Sequence, residues 1–159
     1  VTDAYSGVES GGKSGNERAI AAAKQPVIRV SALFAVDEAG RLLVVRKRGT
    51  SVFMQPGGKP EPGESAAQTL VRELAEEVGV RLELADLEPL GTFITDAANE
   101  AGTTLIADVF RATITQLVRA AAEIDEVRWM LPQELATARV APLITQHMLE
   151  LMPIARPTP

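Results

Sequence analysis

The stretch Pro56 to Val80, PGGKPEPGESAAQTLVRELAEEVGV, leaves this chain the least conformational freedom. Pro56, Pro60 and Pro62 fix their own φ, and Gly57, Gly58 and Gly63 can take positive φ. Residues 56–64 therefore read as a tightly specified loop. From Ser65 the pattern changes. Ala67, Leu70, Val71, Leu74 and Val78 recur at i, i+3, i+4, i+7 and i+11, the apolar stripe of a helix over Ser65–Val78. Glu73, Glu76 and Glu77 project from the other side, and their i,i+3 and i,i+4 spacings make them neighbours. Like charges ~6 Å apart repel by roughly 3 kcal/mol at an effective dielectric of 20. Water reduces that to a few tenths of a kcal/mol. Glutamates on a solvated helix face are ordinary. A loop this restricted does more than connect, however. It sets backbone carbonyls and the angle at which the helix begins. Carboxylates and a backbone carbonyl are hard oxygen ligands that suit Mg²⁺ or Mn²⁺.

Charge points the same way. The net charge is −5. Between Gly58 and Val80, two basic residues (Lys59, Arg72) face five acidic ones (Glu61, Glu64, Glu73, Glu76, Glu77). An acidic segment that handles an anion needs a cation between them. The same balance argues against a broad grip on nucleic-acid phosphates. With 159 residues and 46 % apolar residues, the chain has enough material for one domain with a real core. It has no cysteine, so disulfides and thiolate metal sites are excluded, and a cytoplasmic location is the expectation. No apolar run approaches the ~20 residues that span a bilayer, so no membrane partner is expected. The first ten residues lack the order of a signal peptide.

Residues 1–26 read as a flexible arm, with Asn16 able to cap a short helix over ERAIAAAK. The main domain is expected over residues 27–152 and a tail over residues 153–159. VIRVSALFAV and RLLVVRKR read as two strands around a DEAG turn, so Val27–Arg48 is expected to form an antiparallel hairpin. One or two strands follow in RLELADLEPLGTFIT, bent at Pro89–Gly91. Further strands lie in TTLIADVFRATIT and EVRWML. Pro132 opens a short helix, and PLITQHMLELM reads as a final amphipathic one. Several strands follow one another without a helix between them. This disfavours a doubly wound parallel sheet and favours an α+β fold, an α/β/α sandwich around a mixed sheet. GVESGGKS at residues 7–14 fits a phosphate-loop pattern. Only six mostly polar residues precede it, too few and too polar for the buried strand such a loop needs, and it reads as a chance match.

The spacing Gly58-x5-Glu64-x7-Arg72-Glu73-Leu74-x-Glu76-Glu77-x-Gly79-Val80 matches every fixed position of the Nudix box. The chain resembles a Nudix (MutT-like) hydrolase, with a consistent strand order from about Val27 to Met152. The resemblance implies that Glu73, Glu76, Glu77 and the Gly57 carbonyl hold Mg²⁺ or Mn²⁺. It implies that Arg72 pairs with a box carboxylate, Glu64 foremost, and orients the catalytic face. Gly79 is expected to end the helix in a left-handed cap. Glu123, six residues before Trp129, corresponds to a later-loop glutamate that serves as further ligand or general base; Glu126 is its competitor. The implied reaction is attack of water on a diphosphate linkage, with a glutamate taking the remaining proton. The implied substrate is a small nucleotide-type diphosphate. Dimers are common on this fold, so a homodimer is compatible.

Arg46 and Lys47, at the end of the second strand, are candidate phosphate contacts. Phe53, Phe93, Phe110 and Trp129 are the few aromatic candidates for a base, with Phe53 the one assigned to substrate. His147, the only histidine, reads as structural. Branch markers outside the box are missing. Ile94 stands where some ADP-sugar hydrolases have proline, and Val140 where the oxidised-guanine branch has asparagine. The rival functions are allylic diphosphate isomerisation, which wants a cysteine the chain lacks, and a non-catalytic nucleotide-sensing module, which often loses box glutamates that this chain retains.

Overall fold

A computed structural model describes residues 25–153. The expected arm, its short helix, the phosphate-loop-like stretch and most of the tail lie outside the described residues. Seven strands are present among these residues. They are β1 (Val27–Phe34), β2 (Leu42–Lys47), β3 (Phe53–Met54), β4 (Gly57–Gly58), β5 (Glu88–Asp96), β6 (Thr104–Arg111) and β7 (Ile124–Met130). Helix α1 (Ala66–Val78) follows β4, and α2 (Pro132–Thr137) follows β7. A π-turn at Ile144–Met148 runs into a last short helix, α3 (Leu149–Leu151).

The strands form a four-stranded mixed sheet in the order β4-β1-β6-β5 and a three-stranded antiparallel sheet in the order β3-β2-β7. This corrects the expected hairpin. β1 and β2 pair only around their turn, where Leu43 N–H donates to the Ala35 carbonyl at 2.9 Å and Val36 bridges Leu42. The Asp37 carboxylate closes that turn by accepting from the Ala39 and Arg41 amides at 3.0 and 2.9 Å. Beyond it the strands part into different sheets. A strand has two edges to satisfy. β1 gives one to β4 and the other to an eight-residue parallel ladder with β6, from Val27↔Thr104 to Phe34↔Arg111. β2 gives its edges to β3 and β7.

The continuous apolar runs of β1 and β2 resolve into two faces of period two. Leu33, Ala35, Leu43 and Val45 pack with Leu70, Leu74 and Val78 of α1. Ala32, Phe34, Leu42 and Val44 pack with Leu143, Ile144 and Met148. Helical segments thus cover both sides of the sheets. Leu70, Leu74 and Val78 are fully buried, and each contributes about 1.5–3 kcal/mol of apolar burial.

Helix α1 begins in a capping box. The Ser65 hydroxyl accepts from Gln68 N–H at 3.2 Å, and the Gln68 side chain accepts from Ser65 N–H at 2.9 Å. It ends at Gly79, at φ 69°, with Val80 N–H donating to the Leu74 carbonyl at 3.2 Å. The expected final helix is wound in part as a π-turn, which keeps Ile144 and Met148 wholly buried. His147 lies in that turn against Phe93, ring centroids 5.1 Å apart.

Candidate active site

A cleft of about 560 Å³ opens where β4 and the start of β1 meet the loop after β5. Two glycines determine its shape. A Cβ on Gly57, at φ 145°, would lie 2.0 Å from the Ser31 carbonyl oxygen of β1. A Cβ on Gly58 would lie 2.4 Å from the carboxylate of Glu73. The missing side chains let β4 close on β1 and let a box carboxylate reach the backbone beside the cleft.

The three helix glutamates part company. Glu77 is 2 % exposed, which corrects the expectation that all three glutamates lie opposite the apolar stripe: seven residues after Leu70, it sits only about 20° from Leu70 around the helix, at the edge of the stripe. Strand β4 and the segment before β7 cover it. Gly57 N–H donates to Glu77 Oε2 at 3.0 Å, and the Glu77 carbonyl accepts from Ala121 N–H at 2.9 Å. Glu77 Oε1 is buried with no hydrogen-bond partner, and its nearest cation is Lys47 Nζ at 3.9 Å. Burial pushes this carboxyl up to about 7, with Glu73 and Glu123 adding to the rise and the Gly57 amide and Lys47 opposing it. Glu73 also faces the cleft, with Arg72 Nη1 2.9 Å from its Oε1. Glu76 points outward, its side chain 54 % exposed and only 3.4 Å from Arg72.

Arg72 organises this edge. Its guanidinium meets Glu64 in a two-pronged pair, Nε to Oε1 at 2.7 Å and Nη2 to Oε2 at 2.9 Å. The same group donates to the Lys59 carbonyl at 3.0 Å, tying loop to helix. Arg72, together with the Glu61 amide and the Thr69 hydroxyl, holds the Glu64 carboxyl down at about 2.

Of the basic pair at the end of β2, Lys47 faces the cleft and Arg46 does not, as strand alternation requires of neighbours. Lys47 Nζ stands between Glu77 and Glu123, ion-paired with the latter. Arg46 is bound to Asp125 at 2.7 Å, Glu126 at 3.1 Å and the Thr50 carbonyl at 3.0 Å, which removes it from the phosphate contacts. Phe53, 8 % exposed, belongs to the core under Arg46 and Arg128 rather than to the cleft wall. Glu123 lines the cleft with a 58 % exposed side chain, whereas its competitor Glu126 is held by Arg46 and Arg128. Gln55, which the sequence reading passes over, is 6 % exposed and lines the same cleft. The signal available for it is a polar residue set between apolar Met54 and Pro56.

A family model for the Nudix domain matches residues 25–152. The chain belongs to the Nudix family. A MutT-like protein of Streptomyces ambofaciens is 30 % identical over 123 residues, covering 77 % of this chain and 75 % of that protein. Among solved structures, the MutT protein of Methanosarcina mazei aligns with a TM-score of 0.66 at 23 % identity, over 80 % of this chain and 94 % of that one. The ORF135 protein of E. coli aligns with a TM-score of 0.61 at 25 % identity, over 79 % and 88 %. As a Nudix pyrophosphohydrolase, the chain is an enzyme of phosphorus-containing acid anhydrides.

Carboxylates and backbone carbonyls are hard oxygens of the kind that divalent cations take. Among the described residues no three Asp, Glu or His side chains converge into a ready-made ion site. Glu77 leans on Gly57, Glu73 on Arg72, and Glu123 on Lys47. The fit to a metal rests instead on Glu77 Oε1, a buried carboxyl oxygen without a hydrogen-bond partner beside the glycine loop.

Proposed function

We propose that the protein uses Mg²⁺ or Mn²⁺ to hydrolyse a diphosphate linkage in a nucleoside diphosphate carrying another group. The observation that carries this reading is the unpartnered buried oxygen of Glu77, whose other oxygen is held by the amide of Gly57 in the cleft wall. The unit assigned this activity is residues 27–152.

Glu73, Glu77 and the Gly57 carbonyl are the groups assigned to the cation, with Glu123 able to join them from the loop. Glu76 is a weaker member, because its side chain faces solvent. When bound, the cation supplies neutralisation of phosphate oxygens and a lower pKa for attached water. The chain's own residues do the rest. Lys47 and Lys59 line the cleft and present ammonium groups to diphosphate oxygens. Ile28, Val30 and Leu105 give the cleft an apolar floor for the organic group. Arg72 keeps Glu73 in place while its other contacts hold Glu64 and the loop. Glu123, exposed at the rim, takes the proton of the attacking water. One P–O bond forms to water, the bridging P–O bond breaks, and the proton leaves through Glu123 to solvent. The product retains a monophosphate.

The experiment is a panel of deoxynucleoside triphosphates, ADP-ribose, NADH and dinucleoside polyphosphates, assayed in EDTA and then in Mg²⁺ or Mn²⁺. Metal-dependent release of a phosphorylated product supports the reading. Failure of every compound in both metals refutes it.

A further inference from the structure

Gln55 occupies a position that packing alone does not explain. It follows Phe53–Met54 and precedes Pro56, and 94 % of its surface is withdrawn from solvent, since only 6 % remains exposed. Its amide nitrogen Nε2 is buried without a hydrogen-bond partner. A partnerless amide carries a desolvation cost that a leucine of similar size would avoid. The residue nevertheless lines the cleft. The backbone of Phe53 accepts from Ala141 N–H at 2.8 Å and donates to the Arg139 carbonyl at 2.8 Å. That pairing places Gln55 on the same wall as Ala141 and Leu143, which also line the cleft. In the chain it stands two residues from Gly57, the start of the phosphate end.

The other neutral polar side chains of the cleft are differently placed. Asn99 is exposed and Thr50 half-buried. Ser31 is buried, at 2 %, but a hydroxyl cannot present a donor and an acceptor side by side. A glutamine amide does so in one plane, which matches the edge of a nucleobase. A carbonyl oxygen with a ring N–H beside it is one base edge that meets both the amide N–H and the amide oxygen at once.

We propose that Gln55 is a specificity-determining residue that pairs with an oxo-substituted nucleobase, through an exocyclic carbonyl and the ring N–H beside it. This rests on the reading of the cleft as the diphosphate-hydrolysing site. A pocket built to hydrogen-bond a substrate group rejects the analogue that lacks it, because the protein amide is then left buried and unpaired.

Two substrate pairs test the assignment. Inosine triphosphate is compared with purine riboside triphosphate, and uridine triphosphate with 2-pyrimidinone riboside triphosphate. Each second member lacks the carbonyl in question. In the wild-type enzyme with Mn²⁺, kcat/KM for the oxo member of at least one pair is expected to exceed that of its partner tenfold or more, mainly through KM. In Gln55→Leu that ratio falls to near one, while the melting temperature holds or rises. The idea is overturned if neither pair is discriminated by the wild type, or if the preference survives in Gln55→Leu. If Gln55→Leu melts early, Gln55→Met replaces it under the same criterion. Absence of turnover on all four compounds and on the wider panel overturns the reading of the site itself, and this proposal with it.

Discussion

Replacing Glu77 by glutamine removes a charge that burial opposes. In the folded chain its carboxyl titrates near 7, against an ordinary value of 4.5. The folded state therefore keeps a proton that the unfolded chain releases, and without metal the wild type loses stability as pH rises from about 4.5 to about 7. By pH 8 the full gap is expressed, about 3 kcal/mol. At pH 5 only about 1 kcal/mol of it is present, so the change from pH 5 to pH 8 is about 2–3 kcal/mol. Glutamine resembles the protonated acid at every pH. Glu77→Gln should thus gain stability relative to wild type between pH 5 and pH 8 by that amount, about 9 °C in melting temperature for a domain of this size. Steric differences and any orphaned amide hydrogen act equally at both pH values and cancel in the comparison. The assay is thermal unfolding of both proteins in EDTA at pH 5 and pH 8. A wild-type-to-variant difference that is the same at the two pH values would show that Glu77 is not held as a strained anion.

Gly58→Ala places a methyl carbon 2.4 Å from the Glu73 carboxylate; turnover should fall at least tenfold, with a stability loss of about 1–3 kcal/mol measured by urea unfolding. Lys47→Gln should lower kcat/KM by about tenfold to a hundredfold, since it removes a cation from the cleft, whereas Arg46→Gln, whose partners are Asp125 and Glu126, should change kcat/KM less than about threefold. Equal losses in the two variants would contradict the assignment of their roles. Glu64, held near 2 instead of 4.5, contributes stability that is complete above about pH 5 and is lost as pH falls toward 2. Arg72→Met should flatten that part of the stability profile, and an unchanged acid limb would refute the pairing as its source.

Local structure was the legible part of this chain. Helix α1 could be placed from its stripe, and its capping groups lie within four residues of its ends, at Ser65, Gln68 and Gly79. The pairing of β1 with β6 could not, because Ala32 and Val109 in one core cluster and Leu33 and Phe110 in the other are brought together by burial on both faces of the sheet and not by any nearby turn. A turn such as DEAG favours a hairpin locally, and the hairpin forms there, but the two strands beyond it gain more from separate partners. The box singled out three candidate carboxylates without distinguishing among them. Glu76 and Glu77 are adjacent in sequence, yet one is solvated and the other sealed beneath β4 and the loop before β7. The same holds for Arg46 and Lys47, whose opposite directions follow from strand period only once the face of β2 toward the cleft is known. Phe53 looked available for a base because aromatic residues are few; its ring fills the core instead. Gln55 was passed over because one polar residue in an apolar run carries no periodic signature.

Calorimetric titration of Mn²⁺ into metal-free protein, with a non-hydrolysable nucleoside diphosphate analogue present, reaches the central claim most directly. Saturable uptake by the wild type that is lost in Glu77→Gln is the predicted result. No uptake, or uptake indifferent to that substitution, would contradict it.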